Sequence, residues 1–275
     1  MVTFPNCKIN LGLNIINKRP DGYHDLETVF YPILIQDVLE IITSQDEHQH
    51  NNIQYTSSGL KVDGDPSNNL CVKAYQLLKK DFPQLPPIKI HLHKTIPMGA
   101  GLGGGSADGA FTLTLLNQKY QLDLSQEKLI QYALQLGSDC PFFILNKPSL
   151  AKGRGEILSE IDLDLSQYQF LIINPGIHIS TGWAFSQIEP SKAFYTIEET
   201  IFIPIGQWKN ILVNDFEKPV TKHYPEIGNI IHQLYAHGAI YASLSGSGST
   251  VYGIFPNGPI KLPIFPKHYY IAQVD

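Results

Sequence analysis

Charge is scarce in this chain. Only 16% of its 275 residues are charged, with 20 Lys and Arg against 25 Asp and Glu and a formal net charge of -5. A nucleic-acid surface needs a basic excess or a basic run; with neither here, a nucleic-acid partner is not expected. Cysteine is scarcer still: Cys7, Cys71 and Cys140 make an odd count with no CxxC spacing, which argues against a disulfide framework or a thiolate metal site. No run approaches the roughly 20 apolar residues of a membrane span, so no membrane partner is expected either. The opening MVTFPNCKIN lacks the basic stretch and apolar run of a secretion signal, and the expected location is the cytoplasm. What the chain does have is 43% hydrophobic residues, enough for one large core or two modest ones.

Hydrophobic periodicity places the elements. Cys7, Ile9, Leu11, Leu13 and Ile15 alternate with Lys8, Asn10, Gly12 and Asn14, the pattern of a strand with one apolar and one polar face. The turn KRPDG follows, and residues 23–35 read as the return strand of a hairpin. Asn68 or Asn69 caps a helix over 70–82 with Leu70, Ala74, Leu77 and Leu78 on one face. Residues 88–94 form a strand, Ile88, Ile90 and Leu92 inward and Lys89, His91 and His93 outward. Helices are expected over 107–117, over 126–136 (stopped by Gly137) and from Pro225 to a stop at Gly238. Strands are expected at 168–174, 239–244 and 251–255, and residues 45–52 read as a loop. The mixture is that of an α+β protein. A boundary near residues 151–155 (AKGRG) divides the chain into 1–152 and 153–275.

Residues 97–108, PMGAGLGGGSAD, carry the most chemical information. Five glycines remove the Cβ atoms that keep backbone N–H groups from crowding around an anion. A helix starting near Ser106 adds unpaired N–H groups and the positive end of its dipole. Phosphate binding follows from that physics, and a plain packing loop is the alternative. Gly99, Gly101 and Gly104 also satisfy the dinucleotide pattern G-x-G-x-x-G, with Asp123 at the matching distance. However, Asp123 sits in a helix-start signal, and the opening βαβ unit is missing. The Walker pattern fails because no lysine follows Gly105.

Other residues are ambiguous alone. Lys8 and Asn10 share a strand face that is ordinarily solvated. Asp139, two residues before Pro141, suits the cap of a short helix. The SGSGS stretch at 245–249 reads as a hairpin turn richer in glycine than a turn requires. The pairs His48/His50 and His91/His93 lack the third ligand zinc needs, so no metal site is assigned to either.

Together these stretches resemble the GHMP small-molecule kinases. The resemblance rests on KINL at 8–11, RPDGYH at 19–24, residues 97–108, GSDCPFF at 137–143, NDFE at 214–217 and LSGSGST at 244–250, in the family's order. RPDGYH beside KINL, with the GGGS form of the loop, points to the branch whose acceptor is methylerythritol linked to cytidine diphosphate. The resemblance implies a two-domain α+β GHMP-kinase fold, an N-terminal ATP-binding domain at 1–152 and a C-terminal domain at 153–275, with the active site in the cleft between them. It implies transfer of the ATP γ-phosphoryl group, with Mg²⁺, to the 2-hydroxyl of that conjugate in non-mevalonate isoprenoid precursor synthesis. Lys8 and Asp139 then match the catalytic pair. Pro97, Gly99, Ala100, Gly101, Leu102, Gly103, Gly104, Gly105 and Ser106 match the triphosphate cradle, and Asn69 matches a position near the adenine. Tyr23 and His24 match residues that stack on and hydrogen-bond the cytosine; Phe185 is expected on its second face, and Asn10 near the substrate. The metal's ligands and the oligomeric state are not readable. Cys7, Gly182 and Ala107–Asp108 depart from the family pattern of Ala, Pro and Ser-Asn. Kinases for homoserine, mevalonate or a sugar, a sensor that binds without turnover, and an oxidoreductase stand as alternatives. Cys7 and Cys140 adjoin the catalytic pair, so inhibition by a thiol reagent is a further expectation.

Overall fold

The structure, a computed structural model, describes residues 1–45, 53–190, 195–262 and 264–274. The first half of the chain forms β1 (Val2–Thr3), β2 (Asn6–Lys18), β3 (His24–Gln36), β4 (Val38–Thr43), β5 (Ile53–Gly59), α1 (Leu70–Asp81), β6 (Ile88–Lys94), α2 (Gly104–Tyr120), α3 (Gln126–Leu136) and α4 (Cys140–Leu145). The second half adds β7 (Ser149–Lys152), β8 (Ile157–Glu160), β9 (Tyr168–Asn174), α5 (Thr181–Ser186), α6 (Ile197–Thr200), α7 (Glu217–His223), α8 (Pro225–Ala236), β10 (Tyr241–Leu244), β11 (Val251–Pro256) and β12 (Tyr270–Val274). The strands make three four-stranded sheets, ordered β1-β4-β6-β5, β2-β3-β7-β8 and β10-β11-β9-β12. The mixture of helices and sheets is the α+β class expected from the sequence.

Contacts divide the chain into two compact units, and neither is one continuous segment. The first comprises Met1–Cys7, Leu34–Met98 and Gly103–Asn146; the second comprises Lys8–Ile33, Gly99–Leu102 and Lys147–Asp275. In the first unit, α1 packs against α2 and α3, and α2 also touches β4 and α4. Ile88, Ile90 and Leu92 of β6 are buried with Leu39 and Ile41 of β4, while Lys89, His91 and His93 face solvent. β5 and β6 pair in parallel, Ile53 opposite Ile88, and α1 lies on the crossover that a parallel pair requires. In the second unit, α8 covers β10 and β11. Leu171, Ile173, Phe216, Ile227, Ile230 and Leu244 share its core with Leu13 and Ile15 of β2.

Several local expectations change. β2 is buried on both faces, because Asn6, Lys8, Asn10 and Asn14 are as enclosed as the apolar residues between them. α2 begins at Gly104 rather than near residue 107: the low helix propensity of glycine yields to a backbone fixed by left-handed Gly103, φ 70°. The buried face of α1 runs through Cys71, Ala74, Tyr75 and Leu78, with Leu70 and Leu77 only half-buried. The AKGRG stretch is the end of β7 and the start of its hairpin turn to β8, with Gly153 and Gly155 at φ 68° and 106°. Residues 46–52, and with them His48 and His50, lie outside the described residues.

Asn69 is the cap of α1. Its Oδ1 accepts the Cys71 N–H at 2.9 Å, and its Nδ2 donates to the Tyr55 hydroxyl at 3.0 Å. Asn69→Ala removes both bonds, and a cap of this kind is worth about 1 kcal/mol. The expected result is a lower urea midpoint with an unchanged m-value.

Candidate active site

Within the second unit, two glycine-containing loops meet backbone to backbone. A Cβ on Gly101 (φ 86°) would stand 2.0 Å from the Ser245 carbonyl oxygen, and one on Gly248 would stand 2.2 Å from the Ala100 carbonyl carbon. Only residues without side chains allow that approach. Hydrogen bonds hold it: Ser245 Oγ donates to Gly101 O at 2.9 Å, and the Thr250 N–H donates to Ala100 O at 3.2 Å. The SGSGS stretch is the connection between antiparallel β10 and β11, as a hairpin reading expects, and its extra glycines serve this contact.

Lys8 and Asn10 are built into the same place. Lys8 is 3% exposed, not solvated as a lysine on a strand's polar face ordinarily is. Its backbone N–H donates to Leu102 O at 3.0 Å, and its ammonium donates to Asn10 Oδ1 at 2.6 Å and to Gly101 O at 3.4 Å, 4.6 Å from the centre of the Phe30 ring. Asn10 Nδ2 donates to Thr28 Oγ1 at 3.1 Å, and Thr28 in turn donates to Gly12 O at 2.5 Å. The Tyr252 hydroxyl donates to Asn10 O at 2.8 Å. A buried ammonium is tolerated only with such partners.

Asn214 is a residue the sequence reading left without a role. Its Nδ2 donates to Leu244 O and Gly246 O, both at 2.9 Å, while its Oδ1 accepts the Phe216 N–H at 3.0 Å. Leu13 bridges to Asn214 through the backbone, so one side chain ties β2 to the entrance of the 245–249 loop. Glu217 accepts from Ser243 Oγ and the Leu244 N–H at the same junction, and burial raises its carboxyl above the usual range. An acid inside NDFE was the available signal, but its partners lie far along the chain.

The remaining residues are spread over both units. Gly103 to Ser106 open α2 in the first unit, and no side chain caps that end; the first N–H groups of a helix have no partner within it. Pro97 leads into the loop from the same unit, whereas Gly99, Ala100, Gly101 and Leu102 group with the second. Asp139 precedes α4 at the cap position, yet its side chain makes no capping bond, so the capping explanation for it fails. Asp139 belongs to the first unit and Lys8 to the second. In the second unit, the His24 ring stacks on Phe185 at 4.9 Å, and the Arg154 guanidinium lies 4.9 Å from the centre of the Tyr23 ring. Tyr23 is 56% exposed. Burial and then Lys18 lower the His24 pKa, favouring a neutral imidazole. Asn69, in the first unit, spends its side chain on Cys71 and Tyr55.

His91 and His93 share the Ser58 hydroxyl, at 2.9 Å each. Among the described residues no group of three His, Cys, Asp or Glu is placed to hold a metal, and no helix is long and apolar enough to cross a membrane. All three cysteines are buried, and burial pushes the Cys140 thiol up to about 12. Both Cys7 and Cys140 are fully buried, and a raised thiol yields little of the thiolate a reagent needs, which counts against the expected thiol inhibition.

Family models match this arrangement: "GHMP kinases N terminal domain" over residues 69–147 and "GHMP kinases C terminal" over 203–261. A protein of Bacteroides fragilis (strain YCH46) named 4-diphosphocytidyl-2-C-methyl-D-erythritol kinase is 55% identical over 255 residues, 93% of this chain and 92% of its own length. The chain belongs to that kinase family. A relative of the same name from Azobacteroides pseudotrichonymphae genomovar. CFP2 is 51% identical and covers 98% of this chain and 100% of itself. The crystal structure of a 4-(cytidine 5'-diphospho)-2C-methyl-D-erythritol kinase superposes with a TM-score of 0.79 at 28% identity, covering 92% of this chain and 90% of its own. Membership of the GHMP kinases makes this a small-molecule kinase fold and sets aside the oxidoreductase alternative.

The two-loop contact is testable by glycine replacement. Gly248→Ala drives a methyl group into the Ala100 backbone, which costs about 1–3 kcal/mol or more. Gly206→Ala, with nothing within 4 Å of the new Cβ, is the matched control and leaves the melting temperature nearly unchanged. Thermal denaturation of the two variants side by side reads the difference.

Proposed function

We propose that the protein transfers the γ-phosphoryl group of ATP to the 2-hydroxyl of 4-diphosphocytidyl-2-C-methyl-D-erythritol, a step in non-mevalonate isoprenoid precursor synthesis carried out in the cytoplasm. The observation that supports this reading most is the buried Lys8–Asn10 pair set against the first half of a glycine loop whose second half opens a helix. The full-length relatives carrying that kinase name support the choice of acceptor. Residues 1–152 carry the nucleotide-binding part in this reading and 153–275 the C-terminal part, with one family model on each side.

Phosphoryl transfer asks mainly for positioning and for neutralisation of charge spread over the phosphoryl oxygens. The N–H groups of the loop and of the first turn of α2 supply donors for the phosphates. In this reading the Lys8 ammonium, already desolvated, neutralises charge and orients the acceptor hydroxyl. Asp139, whose carboxylate is not spent on capping α4, accepts the hydroxyl proton. Mg²⁺, which is ordinarily held by one or two carboxylates together with phosphate oxygens and water, would neutralise phosphate charge when bound with ATP. Tyr23 stacks on the cytosine and the neutral His24 hydrogen-bonds it. Phe185, stacked on the His24 ring at 4.9 Å, supplies the second face of the cytosine site in this reading. Asn69 acts near the adenine by holding Tyr55 and the start of α1.

Purified protein with ATP, Mg²⁺ and the cytidine conjugate should release ADP, and homoserine, mevalonate or galactose should not replace the conjugate. Asp139→Asn should lower kcat by about 10²–10⁴-fold, the span of a positioned acid or base. Near-normal turnover in that variant removes Asp139 from the mechanism. Release with another acceptor moves the protein to a different branch of the superfamily, and ATP binding without release from any acceptor supports the sensor reading.

Tyr23 acts on affinity. Stacking of a base on an aromatic side chain is worth about 1–3 kcal/mol, so Tyr23→Ala should raise KM for the cytidine substrate by about 5- to 150-fold and leave KM for ATP nearly unchanged. Equal shifts in both constants contradict the assignment.

A further inference from the structure

A lysine held by two carboxylates lies at the root of the glycine turn, inside the first unit. Lys94, the last residue of β6, donates to Asp37 Oδ2 at 2.5 Å and to Asp108 Oδ2 at 2.8 Å, and all three side chains are buried. Asp37 Oδ1 accepts the backbone N–H groups of Thr95 and Ile96 at 2.6 and 3.0 Å, so the cluster fixes the two residues that lead into Pro97. It also reaches the helix beyond the loop. A Cβ on Gly104, the first residue of α2, would stand 3.3 Å from Lys94 Nζ and 2.8 Å from Ile96 Cγ2. The ammonium therefore occupies the space beside the first turn of α2 that a side chain on Gly104 would take, and Asp108 is itself part of that helix.

One ammonium between two carboxylates leaves a single uncompensated negative charge. Asp108 Oδ1 is buried and has no hydrogen-bond partner among the described residues. An ionised carboxylate with an unsatisfied buried oxygen is the expensive state, and a proton on Asp108 removes the excess charge. Burial is the largest influence on this carboxyl; Lys94 pulls it down, Asp37 pushes it up, and the balance lies at about 7. Three further titratable groups near it are held in one state. Burial pulls Lys94 down, but its two carboxylates together outweigh that, so it lies above its ordinary value and stays cationic. The Cys71 thiol on α1 and the Tyr55 phenol on β5 are pushed up by burial, the phenol to about 12, and both stay neutral.

We propose that Asp108 is a positioning residue for the nucleotide: its protonation state sets the charge that the Asp37–Lys94–Asp108 cluster presents to the first turn of α2, and thereby the affinity for ATP but not the rate of transfer. The proposal rests on the reading of residues 97–106 as the phosphate cradle. With Asp108 neutral, Lys94 and Asp37 balance, and the positive end of α2 attracts phosphate unopposed. With Asp108 ionised, a buried negative charge lies behind the same N–H groups and opposes an incoming triphosphate. A raised carboxyl is neutral below its folded pKa and charged above it, so affinity is highest on the acid side of neutrality and falls as the pH rises.

The test compares the unmodified protein with Asp108→Asn, which keeps the shape and an acceptor for Lys94 but cannot ionise. ATP affinity by calorimetry, together with kcat, is measured from pH 6 to pH 9, and thermal melts establish that both proteins are folded. The terminal phosphate of ATP titrates in the same range, so the informative quantity is the difference between the two profiles. The dissociation constant of the unmodified protein should rise about 5- to 10-fold more than that of the variant, with equal kcat throughout. Parallel affinity profiles, or a lower kcat in the variant with unchanged affinity, overturn the proposal while leaving the cradle reading intact. Failure of the unmodified protein to bind ATP at any pH overturns both. Should Asp108→Asn not fold, infrared difference spectra of the unmodified protein decide: a buried protonated carboxyl band present at pH 6 and lost by pH 9 is required, and its absence overturns the proposal.

Discussion

Two stretches of backbone approach each other more closely than any side chain permits, and much of the second unit depends on that fact. Gly101 against Ser245 and Gly248 against Ala100 leave no room for a Cβ. The rest of the neighbourhood holds this contact in place: Asn214 fastens the start of the 245–249 loop, Ser245 bonds back to Gly101, and Asn174 donates to both Ser249 and Thr250 at 3.0 Å. Each of these polar side chains is buried, and each is satisfied by groups distant in sequence. Such a network stabilises the unit only when complete, because a buried polar group left without its partner costs more than the bond contributed.

β2 shows the same logic in a single strand. A polar residue at every second position ordinarily marks a solvent face, yet Lys8, Asn10 and Asn14 are enclosed. The strand gives up an easily hydrated surface and gains a row of fixed donors and acceptors beside the glycine loop. A buried lysine that donates to Asn10 and lies over Phe30 has lost most of its rotamer freedom, so its charge is delivered to one place.

Much of this was legible in the sequence, for identifiable reasons. Alternation in β6, the Gly137 stop of α3 and the 3.6-residue period in α8 are local signals, and all appear at the expected residues. The glycine loop declared itself by composition, and Asn69 by its place before an apolar run. What stayed hidden was set by partners far along the chain. Nothing near Asn214 shows that it will meet residues 244 and 246, and nothing near Lys94 shows that Asp37 and Asp108 will enclose it. The early start of α2 was missed because propensity argues against two successive glycines opening a helix, whereas the left-handed turn at Gly103 imposes that start. The AKGRG stretch, rich in glycine and charge, has a linker's composition and a hairpin's structure.

The interleaving of the two units has a consequence for synthesis. Lys8–Ile33 leave the ribosome early, but the segment that completes their unit begins at Lys147. At about 5–20 residues per second, the β2–β3 hairpin waits on the order of ten seconds for β7 and everything after it. During that interval the apolar residues of β2 have each other, β3 and the short Gly99–Leu102 segment but none of the chain from Lys147 onward for cover, while the first unit, complete once Asn146 has emerged, already has all of its chain. The nascent protein therefore carries an unfinished strand pair beside a segment free to fold, which makes β2–β3 the part of the chain most in need of protection from other nascent chains.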